Sequence, residues 1–176
     1  MLQLNIPDVE AFDERTNEFI IIKGRTIQLE HSLISLSKWE SKWEKPFLSQ
    51  DKEKTSEEIL DYVRCMTLTK NVDENIYEYL SEENIEEIND DISAPMTATW
   101  FSDRDNKRNR EVITSEIIYY QMIALGIPFE CQKWHLNRLL TLIRVCSIKN
   151  APQKKMSKKD ILKHNRELNA ARKAKR

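Results

Sequence analysis

The sequence predicts a mainly helical α+β fold, in which an N-terminal β-hairpin packs on a bundle of about five or six helices and a basic helical tail follows. Apolar residues alternate with a period of two in the first thirty residues and recur every three or four residues from Ser32 onward. Only two glycines occur in 176 residues, which argues against an all-β domain with many tight turns.

The chain is long enough for one compact domain and a tail, but too short for two independent cores. We therefore expect a single globular domain over residues 1–150, β-rich over 1–31 and helical over 32–150. Residues 151–176 form the basic C-terminal tail, and Pro152 marks the break before it. The tail has so few apolar residues that we expect its helix to be marginal in isolation.

The predicted hairpin joins a β-branched run to an alternating one. Residues 19–22 form the β-branched run, residues 26–30 alternate between polar and apolar, and residues 23–24 between them suit a turn. Residues 2–6 also alternate and could add a third strand.

The first helices are predicted from apolar spacing and from capping residues. Four apolar positions, spaced three or four apart, should lie on one helical face that ends before Pro46; they are Leu33, Leu36, Trp39 and Trp43. Thr55 and Glu58 form a capping box before the next helix, whose expected buried face is Ile59, Tyr62, Val63 and Met66. Further helices are predicted over 74–80 and 82–92, the latter with inward-facing Ile85, Ile88 and Ile92.

The second half contains the strongest signal for a buried core. A polar segment over 93–111 predicts an exposed loop, and the helix after it should end at Gly126. Pro128 then suits the first turn of one helix of about 20 residues that ends near Lys149. The residues expected to be buried are Ile118, Met122, Trp134, Leu140 and Ile143.

No catalytic motif is recognisable, and we expect a protein that is not an enzyme and binds no cofactor or metal. Two isolated glycines cannot supply a nucleophile elbow or a phosphate-binding loop. Cys131 and His135 are four apart and could share a helical face, but no third group completes a metal site or a catalytic site. We therefore expect their replacement by alanine to change stability without abolishing an activity.

Cysteine usage and hydropathy indicate the compartment. The three cysteines are odd in number and lie among apolar residues, which favours reduced thiols. No apolar run is long enough to cross a bilayer, and the N-terminus does not resemble a signal peptide. We expect a cytoplasmic protein with no membrane partner.

Four aromatic residues are candidates for partner binding: Trp39, Trp43, Phe47 and Trp134. Tryptophan is enriched at the energetic centres of protein interfaces. The alternative is that Trp39 and Trp43 close over the core while the charged residues between them face water.

Charge is distributed unevenly along the chain. Residues 151–176 contain ten Lys/Arg and two Asp/Glu, whereas residues 50–93 contain fourteen Asp/Glu and four Lys/Arg. The candidate basic residues of the tail are Lys154, Lys155, Lys158, Lys159 and Arg172. The tail could bind nucleic acid through phosphate contacts, although it has no aromatic residue for base stacking, or it could be a solvated helix without such a partner.

Several strings resemble small proteins of tailed bacteriophages. They are LISLSKWE at 33–40, PFL at 46–48, IPFE at 127–130, WHLNRL at 134–139, KKMSKK at 154–159 and NAAR at 169–172. The chain is most similar in type to the tail assembly chaperones, or to the other, uncharacterised proteins encoded near the tail genes. The resemblance spans most of the sequence from Leu33 onward, and its motifs carry no active-site residue.

The resemblance implies a protein that coats the long helical tape-measure protein in the host cytoplasm before the tail tube polymerises. A helical domain with apolar and aromatic stripes is compatible with holding an amphipathic helix. The alternative function is a nucleic-acid-binding phage protein that acts through the basic tail.

Overall fold

The computed structural model describes residues 1–13, 17–49, 53–101 and 112–151, and in the C-terminal segment residues 162, 165–168 and 172–173. The described strands are β1 (Leu2–Ile6), β2 (Val9–Asp13), β3 (Glu18–Ile22) and β4 (Arg25–Leu29). The α-helices are α1 (Leu33–Trp43), α2 (Ser56–Met66), α3 (Glu82–Ser93), α4 (Ser115–Ala124) and α5 (Leu136–Asn150). Two 3-10 helices cover Glu74–Tyr79 and Phe129–Lys133. The predicted mainly helical α+β fold is confirmed.

The strands form two antiparallel pairs. β1 pairs with β4, with Leu2 opposite Leu29, and β2 pairs with β3, with Val9 opposite Ile22. An N-terminal hairpin is therefore present, but it is formed by β2 and β3, and the predicted pairing of residues 19–22 with 26–30 is wrong. Alternation correctly predicts which residues of β1 and β4 face the core, but it does not determine which strand pairs with which.

Gly24 allows the chain to cross closely over the segment between β1 and β2. A Cβ atom at this position would lie 2.3 Å from the carbonyl oxygen of Ile6 and 2.3 Å from the carbonyl carbon of Pro7. The Gly24 amide also donates a hydrogen bond of 2.6 Å to Oδ1 of Asp8. These contacts exclude any side chain at the connection from β3 to β4.

Helix α1 lies between two clusters of buried apolar residues. Trp39 belongs to the first cluster, together with β1, β4, α2, α3 and the first 3-10 helix. Leu33 and Leu36 belong to the second, together with α4, the second 3-10 helix and α5. This single amphipathic helix therefore links the sheet side of the domain to its C-terminal helices.

The helix ends follow the predicted capping chemistry. The Thr55 hydroxyl accepts a hydrogen bond from the Glu58 amide, and the Glu58 carboxylate accepts one from the Thr55 amide, so the capping box is confirmed. After α4, Gly126 adopts a positive φ of 66°. Its amide donates to the Ile123 carbonyl, and the Ile127 amide donates to the Met122 carbonyl, which is the Schellman pattern that ends a helix.

The predicted single helix from Pro128 to Lys149 is wrong. Residues 134–135 interrupt it, so that a short 3-10 helix is followed by α5 with 15 residues. At the break, His135 forms a β-bridge with Ser32, and the Leu136 amide donates to the His31 carbonyl over 2.7 Å. Backbone hydrogen bonds to a distant segment therefore replace the helical ones at this position.

The predicted burial is met in part. Ile118, Met122 and Ile143 are buried, whereas Trp134 and Leu140 are half-buried. Ile59 and Ile85 were expected to face inward but are exposed, while the other residues of their predicted stripes pack inside. Glu74–Tyr79 forms a 3-10 helix where the sequence predicted a helix over 74–80.

The chain divides into two compact units, Met1–Cys146 and Ser147–Arg176. In the second unit the described apolar side chains Leu162 and Leu168 are exposed. Of the predicted loop over 93–111, residues 102–111 lie outside the described part of the chain.

Candidate functional site

Three of the four aromatic residues singled out from the sequence form an internal cluster. Trp39 is only 1% exposed, and its indole Nε1 donates a hydrogen bond of 2.8 Å to the carbonyl of Glu58. The Phe47 ring stacks on Tyr62 at a centroid distance of 3.8 Å and meets Trp39 edge-on at 4.9 Å. Trp43 stacks beside Trp39 at 6.2 Å. These rings join α1 to α2, so a partner could reach Trp39 only if the core opened.

Two carboxylates of α2 fix the edge of this cluster. Asp61 accepts hydrogen bonds from Lys42 at 2.5 Å and from the Trp43 indole at 2.8 Å. Burial acts to raise the pKa of Asp61, but these two hydrogen bonds outweigh it, so its pKa lies below the ordinary value. The pKa of Glu58 is also lowered, first by the hydrogen bond from Lys45 and then by its amide contact at the helix cap. Both groups stay ionised at neutral pH and act as structural anchors.

A cavity of about 370 Å³ lies beside this cluster, between the end of α1 and the start of α2. Its described lining includes Trp39, Pro46, Lys45, Lys54 and Glu58. The Lys45 ammonium is paired with Glu58, and the Lys54 ammonium lies 4.8 Å from the centroid of the Phe47 ring. Both lysines of the cavity are thus held by contacts within the protein, and no histidine or cysteine is among the described lining residues.

Trp134 lies apart from the other three aromatic residues. It packs half-buried against the second core cluster, and the Arg138 guanidinium sits 4.3 Å from its ring centroid. A stacked guanidinium of this kind stabilises the ring position by a cation–π contact. The structure therefore does not bring the four candidate residues together on one exposed face.

The outer side of α4 is the most apolar exposed surface of a described helix. Seven of the ten residues in its sequence SEIIYYQMIA are apolar or aromatic, and among these only Ile118 and Met122 are fully buried. Tyr120 is 69% exposed and Ile123 is 63% exposed. Phe129, from the following 3-10 helix, is 52% exposed. A helix that is apolar all round is normally covered on both sides.

These residues form one continuous surface, which we call the α4 patch: Tyr119, Tyr120, Ile123 and Phe129. On a helix, residues three and four apart are neighbours, so Ile123 lies beside both tyrosines. The Tyr119 ring lies 6.4 Å from the Phe129 ring, and its hydroxyl donates to Gln132 over 2.9 Å. Exposed apolar surfaces of this kind mark sites of protein interaction.

Sequence reasoning identified α4 as a core helix but missed its outer side. The available signal was the run of four apolar residues at 117–120, because four consecutive positions cannot all face one core. Trp100 was also missed, and it too is highly exposed.

Two buried histidines form the main polar cluster inside the domain. His31 is 3% exposed and His135 is 6% exposed, and their rings meet edge-on with centroids 5.2 Å apart. The Tyr62 hydroxyl lies 2.6 Å from Nδ1 of His31. Nε2 of His135 lies 2.8 Å from the carbonyl oxygen of Asp91. The cluster thus joins residues from the β4–α1 junction, α2, α3 and the segment before α5.

Burial keeps His31 and Tyr62 of this cluster uncharged at neutral pH. It lowers the pKa of His31 from 6.5 to about 4, and the neighbouring His135 acts in the same direction. Burial also raises the pKa of Tyr62 well above its ordinary value, so its hydroxyl keeps its proton. Within the described residues, no group of three or more His, Cys, Asp or Glu side chains could hold a metal ion. Cys131, the other candidate, is a buried free thiol in the second core cluster.

The basic tail is described only in part. Arg172 is exposed, and Lys154, Lys155, Lys158 and Lys159 lie outside the described residues.

Comparisons with protein-family models, curated proteins and solved structures find no match to this chain. No helix in the described part of the structure is both long and apolar enough to span a membrane.

Proposed function

We propose that this protein is a tail assembly chaperone of a tailed bacteriophage, which binds the tape-measure protein in the host cytoplasm and keeps it soluble before the tail tube assembles. The observation that carries the proposal is the α4 patch, an apolar helix surface that no described residue covers. The string resemblance to phage proteins supports the same function. In this role the protein has no catalytic task and needs no cofactor.

The contact residues are those of the α4 patch. Trp39 and Phe47 already bind α1 to α2 in the core, and Trp43 and Trp134 are half-buried in contacts within the chain. Tyr120, Ile123 and Phe129 instead present apolar area to solvent. An amphipathic helix can lay its apolar face on such a surface with anchors spaced three or four residues apart.

The expected affinity suits a reversible chaperone. Burial of roughly 300 Å² of apolar surface would contribute on the order of 7 kcal/mol. Association costs about 4 kcal/mol or more in lost translational and rotational freedom, so one contact alone would be weak. A long helical protein offers many such contacts, and several chaperone copies could cover it while each one remains able to leave.

Paired surface variants test the location of the site. Ile123→Gln and Tyr120→Gln remove apolar area from the α4 patch, whereas Ile85→Gln makes the same kind of change at an exposed position of α3. We expect the two patch variants to weaken binding of tape-measure segments at least tenfold at an unchanged melting temperature, and Ile85→Gln to bind like the wild type. Equal binding by all three variants would exclude the α4 patch as the site.

Nucleic-acid binding through the tail is the second candidate function. It is favoured by the excess of ten Lys/Arg over two Asp/Glu in residues 151–176 and by the exposure of Arg166 and Arg172. Binding to phosphates falls steeply as salt rises, whereas apolar binding at the α4 patch should survive moderate salt. A truncation after residue 150, assayed with DNA and RNA between about 50 and 200 mM salt, separates the two functions. Salt-sensitive binding that disappears on truncation would favour the second candidate.

A further inference from the structure

We infer that His31 and His135 form a pH-sensitive latch, which holds the start of α5 against the rest of the domain and opens when His31 becomes protonated. The latch is a property of the folded domain and does not depend on the proposed chaperone function.

The start of α5 is held by polar contacts to two distant segments. The Leu136 amide donates to the carbonyl of His31, and the His135 ring bonds to the carbonyl of Asp91. The side chain of Asn137 donates to the carbonyls of Ile92 and Ala94, over 2.8 and 2.9 Å. The last turn of α3, the residues after it and the β4–α1 junction therefore all converge on residues 135–137.

The surroundings of His31 fit the neutral form of its ring. The Tyr62 hydroxyl keeps its proton and lies 2.6 Å from Nδ1 of His31, and we infer that it donates to this nitrogen, which then carries no proton. Nε2 of His135 donates to the Asp91 carbonyl, and Nδ1 of His135 has no hydrogen-bond partner among the described residues. Oδ2 of Asp91 also has no hydrogen-bond partner in the described part of the chain, and it lies 3.9 Å from Nε2 of His135, beyond hydrogen-bonding distance.

Protonation of His31 would disrupt this arrangement. The new proton on Nδ1 would meet the hydroxyl hydrogen of Tyr62, and the new charge would be buried beside His135. The titratable groups that act electrostatically on Tyr62 are Glu40 from α1 and Cys65 from α2, and His135 acts on His31. The Asp91 carboxylate of α3 lies 3.9 Å from Nε2 of His135. None of the salt bridges seen among the described residues pairs a carboxylate with His31, so the charge would have no direct counterion there.

The direction of the pH dependence follows from the two protonation states. The pKa of His31 is about 4 in the folded protein and 6.5 when exposed, so the open state binds more protons as the pH falls. The latch is fully stable above about pH 6.5 and weakens progressively down to about pH 4. With these two pKa values of His31, the equilibrium constant for opening is about 30-fold larger at pH 5 than at high pH.

Hydrogen exchange of the full chain measures the opening directly. After correction for the intrinsic exchange rate, we expect the amides of residues 135–140 to open about 30-fold more at pH 5 than at pH 7.5. His31→Gln keeps an acceptor for the Tyr62 hydroxyl but cannot take up a proton. In this variant the opening of residues 135–140 should therefore increase less than threefold between pH 7.5 and pH 5. His164→Gln, in the basic tail, removes a histidine from the sequence outside the latch and should behave like the wild type.

A second measurement remains available if His31→Gln does not fold. In the wild type, the imidazole NMR signal of His31 should titrate with a midpoint near 4, well below the ordinary value of 6.5. A midpoint near 6.5 for His31 would overturn the latch. So would equal acceleration of all slow amides, which would indicate global unfolding, or unchanged exchange at residues 135–140.

Discussion

Glu40 should be one of the most sensitive positions in the chain to substitution, although it lies in a charged stretch of α1. Its carboxylate is 7% exposed and accepts two backbone hydrogen bonds. Oε1 accepts from the Phe47 amide at 2.9 Å, and Oε2 accepts from the Ser115 amide at 2.7 Å. Ser115 is the first residue of α4, so its amide has no partner within its own helix.

The expected loss of stability follows from these two contacts. A hydrogen bond to a charged group contributes about 1.5–3 kcal/mol, and Glu40→Ala removes two and leaves the fully buried Ser115 amide unpaired. We therefore expect the free energy of unfolding to fall by about 3–5 kcal/mol. Glu40→Gln keeps one acceptor oxygen but loses the charge, so we expect a loss of about 1–3 kcal/mol.

Urea denaturation at pH 7 measures the effect. For a slope of about 2 kcal/mol per molar urea, Glu40→Ala should lower the midpoint by about 1.5–2.5 M. Glu86→Ala, at an exposed glutamate of α3, is the matched control and should stay within about 0.5 kcal/mol of the wild type. A change below 1 kcal/mol for Glu40→Ala would refute the reasoning that this carboxylate holds the start of α4.

Three further predictions concern the two glycines, Cys131 and the C-terminal tail. Gly24→Ala should lower the free energy of unfolding by about 2 kcal/mol or more in the same urea assay, because its Cβ would meet backbone atoms at 2.3 Å. Gly126→Ala has open space around its Cβ, so it should lose only about 1–2 kcal/mol through the strain of its positive φ. Cys131→Ala should lower the melting temperature by a few degrees, because buried contacts are lost. Loss of a bound metal ion in this variant would contradict a role in packing alone. Removal of residues 151–176 should leave the melting temperature of the remainder nearly unchanged, and a large drop would show that Leu162 and Leu168 stabilise the domain.

Local chemistry was predictable from the sequence where neighbouring residues determine it. The Thr55–Glu58 capping box and the helix end at Gly126 depend only on residues a few positions apart, and both are present. The buried positions of α1 also follow from apolar spacing, since Leu33, Leu36 and Trp39 recur every three residues.

Features that depend on distant residues were not predictable in the same way. The interruption at His135 requires a backbone partner at Ser32, more than a hundred residues away along the chain. Glu40 was expected to face water, and its burial is intelligible only once Phe47 and Ser115 bring unpaired amides to it. Strand pairing failed for a related reason, because alternation gives the buried side of a strand but not its neighbour.

The position of the candidate site could not be predicted from residue type. Aromatic residues were chosen from the sequence as contacts, yet Trp39 fills the core and the exposed apolar surface is on α4. Residue type alone does not separate a buried ring from an interface ring, since both environments favour large apolar groups.

Co-expression with the tape-measure protein of the same phage tests the central proposal most directly. The quantity to measure is the soluble fraction of the tape-measure protein, followed by gel filtration after nuclease treatment. With the wild-type chain we expect a clear rise in soluble protein and a co-eluting complex, and with Ile123→Gln a smaller effect, because that variant loses apolar area on the α4 patch. Equal solubility with and without the chain, together with no complex on the column, would contradict the chaperone function.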